Sequence, residues 1–133
     1  MFGDSLTTAV LQRALDGTWR REKVVAANIA NHETPGYKAI KVDFEEALDR
    51  AVRDLKRKTE TAGGNYMSAL DSVKRADITV RENRVYSERA DASNVNLEEE
   101  NVEMAKVQLQ YSYLTRQITD TFSRLRYAIR EGR

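Results

Sequence analysis

The side chains with the potential for acid–base or metal chemistry are few, and they stand at predicted helix ends. His32 is the only histidine, Glu33 follows it, and the chain has no cysteine. A single histidine without a second histidine or a cysteine at ligand spacing does not make a transition-metal site. We therefore interpret His32 as a solvated histidine at a helix end, and we expect no metal and no cofactor.

Two acidic groups have the composition of paired catalytic carboxylates: 98–100, and Asp43 with Glu45 and Glu46. Both precede patterns typical of helices, where acidic side chains favour the positive end of the helix dipole. The sequence also lacks a glycine-rich phosphate loop and a GxSxG motif. These features predict a protein that is not an enzyme and has no small-molecule substrate.

The basic residues form two short clusters, 20–23 and 56–58, with acidic residues among or beside them. The chain has 22 Lys and Arg against 21 Asp and Glu, a formal net charge of +1. Binding to nucleic acid usually requires a concentrated basic surface. We interpret both clusters as solvated faces and predict no nucleic-acid partner. A nucleic-acid-binding helical hairpin remains the alternative.

The segment 26–39 contains the only proline of the chain, Pro35, followed by Gly36. Proline presets the first φ of a type II turn and glycine supplies the positive φ of the second position. Thr34, before the proline, is disfavoured in helical conformation. The sequence therefore predicts that a first helix ends near Asn31 and that the chain then turns in a new direction.

The first helix is expected over 5–31, with Ser5 as its N-cap. One narrow face carries apolar residues at helical spacing: Leu11, Leu15, Val25 and Ile29. Thr18 and Glu22 fall on the same face, which is therefore polar at its centre, and Gly17 interrupts the middle of the helix. We expect such a helix to pack imperfectly in a single molecule.

The last helix is expected over 97–131, with Asn96 and Glu99 as a capping box. Its apolar stripe repeats about every 3.6 residues. The residues of this C-terminal stripe are Met104, Val107, Tyr111, Leu114, Ile118, Phe122, Leu125 and Ile129. Both long stripes need partners, and one hairpin leaves much of each exposed. We therefore expect these stripes to be shared between molecules and both ends of the isolated chain to be partly unfolded.

Smaller elements are expected in the middle region, 32–96. They are a helix over 44–57 capped by Asp43 and Glu46, a loop over 59–65, one or two helical turns over 66–75, and a β-hairpin pairing 78–80 with 84–86. The fold class is mainly α, in a single domain, 1–133. The sequence lacks both an apolar run of 18 residues and the pattern of a cleaved signal peptide.

Three stretches carry a resemblance to a known family. The string 28–38 reads Asn-Ile-Ala-Asn-x-x-Thr-Pro-Gly-Tyr-Lys, and further matches lie at 94–105 and 122–129. They resemble the flagellar rod and hook proteins, which polymerise into the axial structure of the bacterial flagellum. With 133 residues the chain is most similar to the proximal-rod members, and the middle-rod members are the near alternative. The motif residues expected to serve assembly are Asn28, Ile29, Ala30, Asn31, Thr34, Pro35, Gly36 and Tyr37.

The resemblance implies an architecture. The helices 5–31 and 97–131 would pair antiparallel, as in a coiled coil, along the inner wall of a tube, with the middle region outside. The turn would bring Tyr37 against a neighbouring subunit. Asn28 and Asn31 would either cap the helix C-terminus or form hydrogen bonds across a subunit interface.

The resemblance also implies partners and a location. The partners are copies of this chain, other rod subunits, the adaptor at the rod base and the membrane ring, in the flagellar basal body. Export would use the flagellar type III apparatus without a cleaved signal, and Phe2 and Leu6 resemble its short hydrophobic export element. Ordinary helix packing is the alternative for these two residues. Outside the family, a helical adaptor that binds one partner helix remains an alternative function.

Overall fold

The residues that the structure describes form four helices and one small sheet. The computed structural model describes residues 2–61, 65–84 and 91–132, with side chains from Ser5 onward. The elements are α1 (Phe2–Ala30), β1 (Ile40–Asp43), α2 (Glu45–Glu60), α3 (Tyr66–Lys74), β2 (Thr79–Glu82) and α4 (Leu97–Glu131). The mainly α fold class is confirmed. None of the helices in these described ranges has the length and apolar character needed to cross a bilayer.

The two long helices lie antiparallel, as expected. At one end Asn28 of α1 contacts Glu100 of α4 (Nδ2–Oε2 3.1 Å). At the other end Ser5 and Thr8 line a groove together with Phe122 of α4. α4 has the predicted bounds, and the Asn96 side chain accepts hydrogen bonds from the backbone N–H groups of Glu98 and Glu99. The expected N-cap at Ser5 is wrong, because α1 already begins at Phe2.

The centre of α1 is its most closely packed part. Thr18 is fully buried and its hydroxyl donates to the Ala14 carbonyl oxygen (2.7 Å). A Cβ atom added to Gly17 would lie 2.4 Å from the Phe44 ring, so glycine is the residue that allows the ring to pack there. The imperfect packing expected for this helix is therefore not found at its centre. The buried cluster around it consists of Ala9, Val42, Phe44, Leu48, Leu70, Val73 and Ala76.

The sheet pairs β1 with β2 in antiparallel register, from Ile40 opposite Glu82 to Asp43 opposite Thr79. The predicted hairpin is wrong, because β2 pairs with β1 and not with a strand that follows it. Glu82 and Asn83 are in the predicted turn of that hairpin. Instead Glu82 lies in β2, and the Asn83 N–H donates to the Ala39 carbonyl oxygen (2.6 Å). Residues 85 and 86 lie outside the described residues.

α2 runs three residues beyond the predicted end and therefore covers the start of the expected loop. The expected cap at Asp43 is wrong because this residue ends β1. Its carboxylate binds Arg81 of β2 (Oδ2–Nη2 2.5 Å). Phe44 occupies the N-cap position without a side-chain cap bond. The expected helical turns at 66–75 are confirmed as α3, whose N-cap Asn65 accepts a hydrogen bond from the Ser68 N–H (3.2 Å).

Candidate functional site

The residues of the first and second sequence matches meet around β1. Four of them, Asn28, Tyr37, Asn94 and Glu100, define what we call the asparagine junction. It joins the end of α1, the proline turn, both edges of β1 and the start of α4. These segments are distant in sequence, and the following contacts hold them together.

The turn has the predicted form. Gly36 has φ +72°, and the Tyr37 N–H donates to the Thr34 carbonyl oxygen (3.2 Å). These are features of a type II turn with glycine at its third position. Asn31 donates from its side chain to the Ala27 carbonyl oxygen (2.8 Å), and its own side-chain oxygen accepts from Thr34 (3.1 Å). The capping interpretation is thus confirmed for Asn31.

Asn28 has a different role, because its side-chain amide forms the hydrogen bonds to β1 that the backbone of a neighbouring strand would otherwise form. It is 1% exposed. Its Oδ1 accepts from the Ile40 N–H (2.9 Å) and from the Tyr37 hydroxyl (3.1 Å). Its Nδ2 donates to the Ile40 carbonyl oxygen (2.8 Å) and to Glu100. All four hydrogen-bonding positions of the amide are used within the chain.

Arg21 completes this edge of β1. Its guanidinium donates to the Val42 carbonyl oxygen (Nη2–O 2.8 Å) and to both carboxylate oxygens of Glu45 (2.5 and 2.8 Å). It also lies over the Phe44 ring, 4.8 Å from the centroid. One member of the first basic cluster is therefore a structural residue rather than part of a solvated face.

Asn94 occupies the opposite edge of β1. Its Oδ1 accepts from the Ala39 N–H (2.7 Å), and its Nδ2 donates to the Asn83 carbonyl oxygen (2.7 Å). The amide thus lies between two backbone groups that would otherwise pair in the strand ladder. Its backbone N–H donates to the Tyr37 carbonyl oxygen (3.3 Å).

The segment before α4 also anchors the turn. The Gly36 N–H donates to the Asp91 carbonyl oxygen (2.7 Å) and Lys38 donates to the Ala92 carbonyl oxygen (2.7 Å). The hydroxyl of Ser93, which is fully buried, donates to the His32 carbonyl oxygen (3.4 Å). His32 itself is half-buried at the helix end, with Nδ1 2.8 Å from the Ile29 carbonyl oxygen.

The electrostatics of the junction favour neutral groups. Burial raises the pKa of Glu100, the Asn28 hydrogen bond opposes that rise, and the Glu103 and Glu99 carboxylates add to it. Burial also raises the pKa of Tyr37, and the Glu100 carboxylate raises it further. On the far side of Arg21, burial would raise the pKa of Glu45, but the Arg21 hydrogen bonds and charge lower it overall.

The chemistry of this arrangement is structural. Within 2–61, 65–84 and 91–132, no group of three His, Cys, Asp or Glu is placed to hold a metal ion. In the same ranges every buried side-chain nitrogen and oxygen has a hydrogen-bond partner. A joint with its polar groups fully paired fixes the relative direction of the segments that it connects.

Comparison with known proteins finds similarity to flagellar rod proteins. The family profile described as "Flagella basal body rod protein" matches residues 10–38, which include Asn28 and the whole turn. The chain is 29% identical over 123 residues to "Flagellar basal body rod protein FlgB" of Bacillus subtilis (strain 168), covering 92% of each protein. The chain is thus similar to flagellar basal body rod proteins over most of its length.

Other rod proteins match in similar ways. The protein of the same name from Aeromonas hydrophila is 28% identical over 100 residues, covering 75% of this chain and 74% of the relative. That from Salmonella typhimurium is 40% identical over 52 residues, covering 39% and 36%.

The C-terminal stripe of this chain is buried only in part. Val107 and Leu114 are buried, whereas Phe122 is 45% and Ile129 is 65% exposed. The other four members of the stripe, Met104, Tyr111, Ile118 and Leu125, are half-buried. The two antiparallel helices can be aligned at the contact between Asn28 and Glu100. In this alignment Phe2, the first residue of α1, lies opposite residue 126 of α4. The last turns of α4 therefore extend past it.

The sequence analysis missed a second apolar stripe on the opposite face of α4. Val102, Leu109, Tyr113 and Tyr127 are 55%, 74%, 63% and 65% exposed. Their spacings of 7, 4 and 14 residues place them on one face of a helix, and this periodicity could have revealed them. Charged residues, Arg116 and Asp120, lie on the same face between Tyr113 and Tyr127.

Proposed function

We propose that the protein is a structural subunit of the proximal rod of the bacterial flagellar basal body. The observation that carries this proposal is the match over 92% of the chain to a flagellar basal body rod protein. The subunits would polymerise into a hollow shaft that transmits torque and leaves a channel for exported subunits. The role is mechanical, and no catalytic step belongs to it.

The geometry supports a load-bearing role. Two antiparallel helices, of which α4 is roughly 50 Å long at 1.5 Å per residue, form the axis of the subunit. The asparagine junction fixes the direction in which the chain leaves that axis. Exposed apolar residues on α4 provide the surface through which neighbouring subunits would bind.

The motif residues have two roles in this proposal. Asn28 and Tyr37 hydrogen-bond to each other within the subunit (3.1 Å). They therefore shape the subunit, and contacts to neighbours fall to the exposed Thr34, Pro35 and Gly36 at the turn. Ile29, Ala30 and Asn31 end α1 and carry the turn. The assembly role of these residues remains a prediction.

The proposed partners are copies of the chain, the other rod subunits, the rod-base adaptor and the membrane ring. Before assembly the chain would pass through the type III export apparatus without a cleaved signal. Leu6 packs against the buried cluster in the folded subunit, which supports a packing role for this residue. An export role would act in the unfolded chain and is compatible with that packing. The side chain of Phe2 lies outside the described residues.

Deletion of the coding sequence tests the function. We expect the deletion strain to keep the export apparatus but to build no rod, hook or filament, and to be non-motile. Expression of the intact protein from a plasmid should restore all three structures in electron micrographs of isolated basal bodies. Normal filaments in the deletion strain would refute the proposal.

A further inference from the structure

The two ends of α4 carry opposite charges. Its first turns contain Glu98, Glu99, Glu100 and Glu103. Its last turns contain Arg124, Arg126 and Arg130, with Glu131 as the one acidic residue beside them. Because α4 has 35 residues, these ends lie on opposite sides of the molecule.

The C-terminal end combines positive charge with exposed apolar side chains. We call it the basic tip: Phe122, Arg126, Tyr127, Ile129 and Arg130. Tyr127 and Ile129 are each 65% exposed. The tip has its own shallow cavity of about 430 Å³, lined by Arg126, Tyr127, Ile129 and Arg130 with Ser123. Within the part of the chain that the structure describes, no acidic side chain forms an ion pair with its arginines.

The opposite end of the molecule has a groove of about 710 Å³ between β1 and the start of α4. We call it the acidic groove: Val24, Val102, Glu98, Glu99 and Glu103. Three basic residues also line the groove and offset part of its charge. Arg21 is bound to Glu45 (2.5 Å) and Lys106 to Glu103 (2.9 Å), and the charge of Lys41 acts on Glu100. This leaves Glu98 and Glu99 without a basic ion-pair partner among the described residues.

We propose that the basic tip of one copy binds in the acidic groove of a second copy. This inference rests on the proposed function, since it names the surfaces through which the same subunit would polymerise. The apolar side chains of the tip would cover Val24 and Val102, while Arg126 and Arg130 would face the glutamates at the rim. Apolar burial supplies affinity in such a contact, and the complementary charge selects the orientation.

The contact joins two different surfaces and is therefore heterologous. A heterologous contact leaves one free tip and one free groove after each addition, so it propagates instead of closing as a twofold dimer. Such a contact closes into a ring or continues as an open helical array, depending on the rotation between copies, and the open array is the symmetry that a shaft requires.

Charge reversal in the full-length protein tests this contact. One variant reverses the tip (Arg126→Glu with Arg130→Glu), and a second reverses the groove (Glu99→Arg with Glu103→Arg). In sedimentation velocity, each variant alone should need a roughly tenfold or higher concentration than the wild type to form oligomers, because like charges then meet. An equimolar mixture should regain association, since the reversed tip fits the reversed groove and the two native surfaces also fit.

The matched control reverses two exposed lysines of α2 (Lys56→Glu with Lys58→Glu) and should associate like the wild type. Circular dichroism checks that every variant keeps the helical content of the wild type. Failure of the mixture to associate, or equal loss in the control, would overturn the contact. A wild type that stays monomeric at every concentration would also overturn it. None of these results would alter the outcome of the gene deletion, so the two proposals can fail separately.

Discussion

Two asparagine side chains replace backbone partners on the two edges of β1. Asn28 satisfies both polar groups of Ile40, and Asn94 bridges Ala39 and Asn83. An amide is suited to this because it offers a donor and an acceptor side by side, like a peptide group. Aspartate would lose the donor and alanine would lose both.

Replacing Asn28 with aspartate should destabilise the fold, since the change removes two donated hydrogen bonds and places a carboxylate beside Glu100. We expect the free energy of unfolding to fall by about 1–3 kcal/mol at neutral pH, the usual range for a buried unsatisfied group. Urea titration followed by circular dichroism measures this. Asn101→Asp, at an exposed position of α4, is the control and should stay close to the wild type.

Glycine is required at position 36 because of its positive φ, and not because a side chain there would meet other atoms. Its φ is +72°, and an added Cβ would meet no atom within 4 Å. We expect Gly36→Ala to cost about 1–2 kcal/mol, the penalty of the left-handed region for a residue with a Cβ atom. Gly36→Asn should cost less, because asparagine tolerates this region. Equal unfolding midpoints for both variants would contradict this account.

Glu100 should make stability fall as pH rises. Burial raises the pKa of its carboxyl, so the folded chain holds this proton more tightly than the unfolded chain. The stabilising effect is complete below the ordinary carboxyl pKa, about 4, and is lost as pH rises through the raised value. Glu100→Gln should therefore match the wild type in acid and exceed its stability at neutral pH. The exposed control Glu98→Gln should show no such gain.

At the scale of elements, the packing of the core depends on the close approach of the Phe44 ring to α1 at Gly17. Alanine normally favours a helix over glycine by about 1 kcal/mol. At Gly17 we expect the opposite sign, a loss of about 1–3 kcal/mol from overpacking, because the added Cβ would meet the Phe44 ring at 2.4 Å.

A double-mutant cycle tests this close approach. In a Phe44→Ala background the ring is gone, so Gly17→Ala should become neutral or stabilising. Thermal unfolding of the four proteins gives the coupling between the two sites. Additive effects of the two substitutions would show that the Phe44 ring is not the reason why residue 17 must be glycine.

Local signals predicted the elements that depend on local sequence. The bounds of α4 follow from a strong repeat and from the Asn96 cap, and the turn follows from Pro35 and Gly36. The strand pairing was mispredicted because β2 binds a strand some 40 residues away, which no local pattern encodes. For the same reason the roles of Asn28 and Asn94 could not be derived, since a single side-chain amide that pairs with the edge of a distant strand leaves no periodic pattern in the sequence.

At the scale of the whole molecule, burial differs along the helix pair. Val107 and Leu114 are buried in the single subunit, but the last turns of α4 expose Tyr127 and Ile129. The prediction that both apolar stripes depend on neighbouring molecules therefore applies mainly to the C-terminal third of α4. The first half of its stripe already has a partner in α1.

We expect both ends of the isolated chain to be partly unfolded and to become helical on assembly. Hydrogen exchange of the dilute monomer should show faster exchange at 120–131 than at 100–114, and protection of both ranges after polymerisation. Circular dichroism should show less helix in the monomer than in the polymer. A dilute monomer with its full helical content and cooperative melting would contradict the prediction.

The double attachment of β1 has a mechanical consequence. One margin of the strand is tied to α1 through Asn28 and Arg21, and the other is tied to β2 and to Asn94. A force that pulls the outer region tangentially, away from the helical axis, would stretch these ties simultaneously instead of opening them one after another. Bonds loaded simultaneously share the tension, whereas bonds opened in sequence yield at the strength of a single one. This short strand is accordingly where we expect twisting stress to pass between the inner and outer layers of the shaft.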